Sequence, residues 1–384
     1  MSDKPILYDF DAVIIQAIQE KASDVLFQTE STPHFIVDGK PRDSHYPKIT
    51  PDTITDIKSM VLQGKPQLLE QLENGEHQVD CSYTVRQKLS DIARLRVSLC
   101  KCEEGEEVVC RLIPMHVPSL EEYKMPKVFS SISEEITGMV IVSGVTGSGK
   151  STTIAAMIEH INNNREAHVI TLEDPIEFMH KPNKCFFTRR EIGLHTPDFA
   201  KGLRAALRQA PHVILVGEMR DTESIRFGLL AAETGHLVFS TVHSESVCDI
   251  PERMISTFPE GEQEQVRRQI SDVGLAFIAQ QLVPEKDGSG RAGAYEILVM
   301  NAASRNLIRE KKCGQLENVM QTEVRFGCST MSRALMALYD QGRISEENLI
   351  RYSSNKETAR KHILESTNGD IDVAQPPFFR REIL

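Results

Sequence analysis

Tryptophan is absent from the 384 residues and tyrosine occurs only 7 times, which leaves few platforms on which nucleic-acid bases could stack. No apolar run approaches the roughly 20 residues that a membrane-crossing helix needs. The opening MSDKPILYDFDAV carries acidic residues where a secretory leader would carry positive charge and an apolar stretch. There are 8 cysteines, at positions 81, 100, 102, 110, 185, 248, 313 and 328, but no C-x-x-C pair. A tetrahedral zinc knuckle is therefore not expected, and the thiols read as reduced and mostly buried, as in a cytosolic protein. Positive charge is in deficit as well. Lys and Arg number 44 against 55 Asp and Glu, a formal charge of −11, which opposes non-specific binding to nucleic acid or acidic lipid. No internal repeat or low-complexity tract occurs.

What is present suffices for ordinary cores: 40% hydrophobic and 26% charged residues, in a length that suggests two domains. Residues 9–22 space Phe10, Val13, Ile14, Ala17 and Ile18 as one helical stripe. HFIVDGKPRD (34–43) reads as strand, turn at Asp38-Gly39, and return. Residues 80–114 alternate apolar and polar in three runs with a turn at 103–106, so residues 1–115 are expected to form an α+β domain. The stretch 114–129, with Pro114, Pro118 and Pro126, reads as a linker whose central part is 116–127. An α/β domain is expected over 128–370, followed by a peripheral tail, 371–384. Its strands are placed at 139–143, 168–172, 213–217 and 237–241, its helices at 151–163, 198–210 and 221–234. After residue 259 the chain reads as mostly helical.

The first strand runs into GVTGSGKST (144–152), which fits G-x-x-x-x-G-K-[ST]. Glycines at 144, 147 and 149 let the backbone curl around a phosphate and aim its N–H groups inward. Thr146, Ser148 and Thr152 complete the loop, Lys150 would reach the β/γ-phosphates, and the Ser151 hydroxyl would hold Mg²⁺. The following helix adds the partial positive charge of its N-terminus. ATP and Mg²⁺ are the expected ligands.

Three further segments offer groups for that chemistry. HVILVGEMRD (212–221) puts Glu218 at the carboxyl end of a strand, where ligands of open parallel sheets bind; capping of the next helix is its plainer role. TLEDPIEF (171–178) offers Glu173, Asp174 and Glu177, carboxylates able to orient or deprotonate an attacking water. TGHLVFSTVHSE (234–245) places His236 at the beginning of a strand and His243 just past its end, as phosphate sensors or, less supported by spacing, metal ligands. Arg94, Arg96 and Arg111 lie on strands of the first domain, either as solvated residues or as arginines supplied to a neighbour's nucleotide.

Together these segments resemble the secretion-superfamily hexameric ATPases, most closely the type IV pilus retraction ATPases of the PilT/PilU group. AASRNLIRE (302–310) adds to the likeness, with Ser304 standing where the family has Ile. The resemblance implies an N-terminal α+β, PAS-like domain followed by a RecA-like P-loop ATPase domain with a helical C-terminal region. It implies Glu177 as catalytic glutamate, Glu218 as the Walker B acid, and His236, His243 and Arg253 lining a site between subunits. It also implies a homo-hexamer that works on an inner-membrane platform protein from the cytoplasmic side, with a second retraction ATPase as a further partner and no nucleic acid. AASRNLIRE reads either as an ordinary packing helix or, as the resemblance implies, as an element that passes hydrolysis-driven motion to the pilus machinery, its Arg305 and Arg309 repelling each other unless they meet an acidic partner.

Departures are informative. ASDVLF (22–27) lacks the family's histidine, and the loop before Arg111, KCEEGEEVVC, is acidic where relatives are basic or neutral. Absence of the paired C-x-x-C motifs of extension-type and type II secretion ATPases favours retraction. A type IV secretion ATPase, an accessory ring member dependent on a partner ATPase, and a nucleic-acid translocase are the other readings.

Overall fold

The structure, a computed structural model, describes residues 9–367 apart from Asp38, Gly75, Lys88, Leu89, Glu104, Pro114 and Met115. The tail 371–384, Asp38 of the first turn and Pro114 of the linker thus lie outside the described residues. The chain divides into two compact units. The first comprises residues up to Val117 together with Glu173–His180 and Arg190–Asp198; the second comprises Pro118–Leu172, Lys181–Arg189 and the chain from Phe199 onward. Among the described residues no helix is long and apolar enough to cross a membrane.

In the first unit α1 (Phe10–Gln19), α2 (Pro51–Val61) and α3 (Pro66–Glu73) accompany six strands: β1 (Asp24–Gln28), β2 (His34–Val37), β3 (Lys40–Asp43), β4 (Gln78–Gln87), β5 (Ser90–Cys102) and β6 (Gly105–Ile113). The sheet order is β3-β2-β1-β6-β5-β4, antiparallel throughout. Phe10, Val13, Ile14 and Ala17 of the expected stripe form the buried face of α1, whereas Ile18 is 39% exposed, and Asp9 caps the helix start by accepting from the Ala12 N–H. Ile54, Ile57 and Val61 of α2 join the same core as Leu95, Val97 and Leu99 of β5 and Val108 and Cys110 of β6. Alternation along β5 sends Arg94, Arg96 and Ser98 to the opposite face. Arg96 and Ser98 are half-buried there, but Arg94 is only 8% exposed.

The second unit holds a seven-stranded sheet in the order β13-β12-β7-β11-β10-β8-β9. Its elements are α4 (Val128–Glu134), β7 (Gly138–Ser143), α5 (Lys150–Asn164), β8 (His168–Glu173), β9 (Phe186–Glu191), α6 (Phe199–Ala206), β10 (Val213–Val216), α7 (Thr222–Glu233) and β11 (Leu237–Val242). They continue with α8 (Ile250–Ile255), α9 (Glu260–Val273), β12 (Gly274–Pro284), β13 (Arg291–Val299), α10 (Ala302–Arg309), α11 (Leu316–Thr322), α12 (Met331–Asp340), α13 (Glu346–Tyr352) and α14 (Lys356–Thr367). Every residue of β7, β10 and β11 is buried, as expected of parallel strands covered on both faces. Helices therefore alternate with parallel strands β7, β8, β10 and β11, the α/β architecture expected.

One expectation fails. The run GLAFIAQQLV, read as part of a helical stretch, is β12, and with β13 it forms an antiparallel hairpin joined in parallel to β7. A strand buried on both faces has no period-2 alternation, so its apolar run reads the same as a buried helix. The helix expected over 198–210 is also shorter, ending at Ala206.

Candidate nucleotide site

The loop between β7 and α5 is shaped by its glycines. Gly144 has φ +142°, and a Cβ there would come within 2.5 Å of the Gln280 carbonyl oxygen and 2.6 Å of Ser148 Oγ. Gly149, φ +88°, precedes the first helical residue, and a Cβ on it would meet the Gln280 amide nitrogen at 2.9 Å. At 144 any other residue would press on the backbone of β12, and at 149 it would displace the Gln280 side chain and sit in a left-handed conformation that side chains disfavour. Lys150 Nζ donates to the carbonyls of Gly144 (2.8 Å) and Val145 (3.1 Å), so the ammonium is held over the loop. Ser148 Oγ is buried and has no protein partner, a polar atom left for a ligand of the loop. Val145, Thr146 and Gly147 are exposed, and Ser151 and Thr152 are half-buried in the first turn of α5.

Gln280 is a residue that sequence reasoning missed. It is 3% exposed, and its Oε1 accepts from Thr153 Oγ1 at 2.7 Å, which fixes α5 against β12 beneath the loop. The signal available was an amide set within an apolar run, since buried polar groups require partners.

Glu218 follows β10 at its carboxyl end. The end of β11 is tied to it, for Met219 N–H donates to Thr241 C=O at 3.2 Å and Thr241 Oγ1 to Gly217 C=O at 2.7 Å. This pairing brings His243 Nε2 to 3.2 Å from Glu218 Oε1, while Arg220 approaches Oε2 at 2.6 Å. The three residues line a cavity of about 240 Å³ with Arg253 of α8, Met254 and Thr257. The structure thus brings Glu218, His243 and Arg253 to one cavity, with His243 and Arg220 in contact with the carboxylate. It does not bring His236 there. That residue precedes the other end of β11, where its Nδ1 lies 2.8 Å from Ala231 C=O and 3.2 Å from Thr234 Oγ1. The strand spanning the two histidines is six residues long.

A second missed residue is Glu296 of β13, mostly buried, whose Oε2 accepts from the Val247 N–H at 2.7 Å. Burial raises its pKa, opposed by that backbone hydrogen bond. It anchors the 3-10 turn Val247–Asp249 that leads into α8 and Arg253.

Glu177 belongs to the first unit with the rest of Glu173–His180. Its N–H donates to Glu173 Oε2 at 3.3 Å. Of the three first-domain arginines, Arg96 and Arg111 stand opposite each other on β5 and β6. Arg111 is 66% exposed and paired with Asp24 at 2.8 Å. Arg94 is different: it is enclosed within its own unit by Glu191 at 3.3 Å, so the reading of it as an arginine free to reach a neighbour's nucleotide does not hold.

Ser151 and Glu218 offer the hard oxygen ligands that Mg²⁺ prefers. Among the described residues no group of three or more His, Cys, Asp or Glu could hold a metal by itself.

Known proteins resemble this chain over most of its length. The chain is 43% identical over 327 residues to a twitching motility protein of Neisseria gonorrhoeae, covering 85% of this chain and 86% of the relative. It is 38% identical over 340 residues to the type IV pilus retraction ATPase PilT of Pseudomonas aeruginosa, covering 88% and 96%. A solved structure of the pilus retraction motor PilT with bound ADP superposes with a TM-score of 0.82 at 38% identity, covering 92% of this chain and 99% of the other. The model of the family described as Type II/IV secretion system protein matches residues 1–351, and with its phosphate loop and strand-end carboxylate in place the chain belongs to that family.

Proposed function

We propose that this chain is the ATP-hydrolysing motor of type IV pilus retraction, working as a homo-hexamer on an inner-membrane platform protein. The observation that carries the reading is the glycine-shaped loop at the start of α5, joined in one sheet to a cavity where Glu218, His243 and Arg253 converge. The relatives in P. aeruginosa and N. gonorrhoeae, named for pilus retraction and for twitching motility, supply the biological task.

In this reading the N–H groups of 144–151 cradle the phosphates and Lys150 leaves the loop carbonyls to meet the β/γ-phosphates. Ser151 and Glu218 would hold Mg²⁺, which when bound offsets charge on the phosphate oxygens. Glu177 orients the attacking water and accepts its proton. His243 holds the Glu218 carboxylate in place, and Arg253 adds positive charge to the same cavity. Arg96 and Arg111 are the arginines left to act on a neighbour's nucleotide, since rings are built from head-to-tail interfaces that place one subunit's surface against another's site.

The test is steady-state ATP turnover by the purified chain. Lys150→Ala is expected to abolish it, and Glu177→Gln to keep nucleotide binding while losing at least about tenfold in kcat. Mixing Arg111→Ala with Lys150→Ala subunits is expected to restore part of the activity. Wild-type turnover in Lys150→Ala would overturn the reading.

A further inference from the structure

Arg94 and Glu191 are 8% and 3% exposed. An enclosed ion pair loses hydration on both sides and is poor evidence for stability alone, so what it holds matters. Part of its bonding stays on β4. Arg94 donates to Thr84 Oγ1 (3.1 Å) and Ser82 Oγ (2.9 Å), and Glu191 accepts from Ser82 Oγ (2.7 Å) and the Ser82 N–H (3.3 Å). Both partners also reach one residue of the loop 173–180. Arg94 Nε donates to the Ile176 carbonyl at 3.1 Å, and the Ile176 N–H donates to Glu191 Oε2 at 3.4 Å.

The Ile176 carbonyl is part of the peptide that joins it to Glu177. Gripping that oxygen on one side and the Ile176 N–H on the other fixes the planes of two successive peptides, and hence the direction in which Glu177 leaves the backbone. Two more bonds stiffen the arrangement: the Ile192 N–H donates to Glu173 C=O at 2.9 Å, and the Glu191 N–H to His195 Nδ1 at 2.9 Å. The Ile176 side chain is itself 4% exposed.

We propose that the Arg94–Glu191 pair is the positioning device for Glu177, so that β4 and β5 of the first unit set the aim of the catalytic carboxylate. The proposal rests on the reading of Glu177 as the group that orients water. Misplacement of a reacting group by about 1 Å costs on the order of a hundredfold in rate, which gives such a device its purpose. Arg94 and Glu191 are positioning residues and act through Glu177.

The test uses the full chain. Glu191→Gln keeps shape and removes the charge. Arg94→Met combined with Glu191→Leu removes both charges and leaves none buried alone, so it carries the test should Glu191→Gln not fold. Each is expected to lower kcat at least about tenfold, with the Kd for ATP within about twofold and the oligomeric state of wild type. In a Glu177→Gln background neither should lower kcat further, because position matters only while the carboxylate is there to be aimed. Amide exchange of peptides covering 174–180 should accelerate in both, while peptides covering 138–164 exchange as in wild type. Turnover within about twofold of wild type in both variants, beside an impaired Glu177→Gln, would overturn the positioning role and leave the reading of Glu177 standing. Losses that multiply fully in the combined variants would overturn it too. Full activity in Glu177→Gln itself would remove the reading on which the proposal stands.

Discussion

His243 Nε2 lies 3.2 Å from Glu218 Oε1, so the residue just past β11 grips the carboxylate just past β10. Arg220 holds the other oxygen from an exposed position, with its side chain 74% accessible. Loss of His243 would leave the carboxylate oriented only by a solvated arginine, a weak constraint. His243→Ala is expected to lower kcat at least about tenfold while the Kd for ATP changes little, measured by steady-state turnover beside equilibrium binding. A change confined to Kd would mean that His243 contacts nucleotide without steering the chemistry.

Arg305 of α10 donates to the carbonyls of Ser271, Asp272 and Gly274 at the end of α9, and Arg309 bonds Ser271 Oγ and the Asp272 carboxylate. Asp272 and the negative end of α9 are the acidic partner that this like-charged pair requires. The two arginines therefore clasp α10 to α9, as the packing-helix reading of AASRNLIRE requires. Arg305→Ala is expected to destabilise the protein by about 2 kcal/mol, the scale of hydrogen bonds from a charged donor. Arg309→Ala, with its side chain 44% exposed, should cost less. Thermal melting checks both, and an Arg305→Ala protein that melts like wild type would contradict the clasp.

Burial pushes the Cys81 thiol up to about 11 and the Cys313 thiol up to about 12, the latter helped by its hydrogen bond to Glu252. Cys110 is raised well above its usual range by burial as well. At pH 8 the thiolate fraction of Cys81 is then roughly one in a thousand, and thiolate is the reactive form. Native-state alkylation followed by mass mapping should leave Cys81, Cys110 and Cys313 unmodified, with half-exposed Cys102 labelled before them. Fast labelling of Cys81 would show that the core around β4 opens.

Legibility in the sequence follows how local the determinants are. Residues Gly144 to Thr152 carry their strand, turn and helix signals within one stretch, and the loop was readable in full. Glu218 and His243 were each placed at a strand end by the apolar runs before them, and pairing of adjacent parallel strands then brought them together. Arg94 was not readable, because what decides its environment is Glu191, 97 residues along the chain. Gln280 escaped for a different reason: its strand is buried on both faces and so loses the alternation that identifies strands. Ser304, out of place against the family pattern, is explained by the capping box it forms with Asn301 at the start of α10.

The most direct test of the central claim is pilus dynamics in host cells that carry Lys150→Ala in place of the natural gene, at matched protein abundance. With pili labelled fluorescently and imaged live, the account predicts filaments that extend and stay extended, because the motor cannot use ATP without the Lys150 charge at the phosphates. Retraction at the frequency and speed of wild-type cells would contradict it.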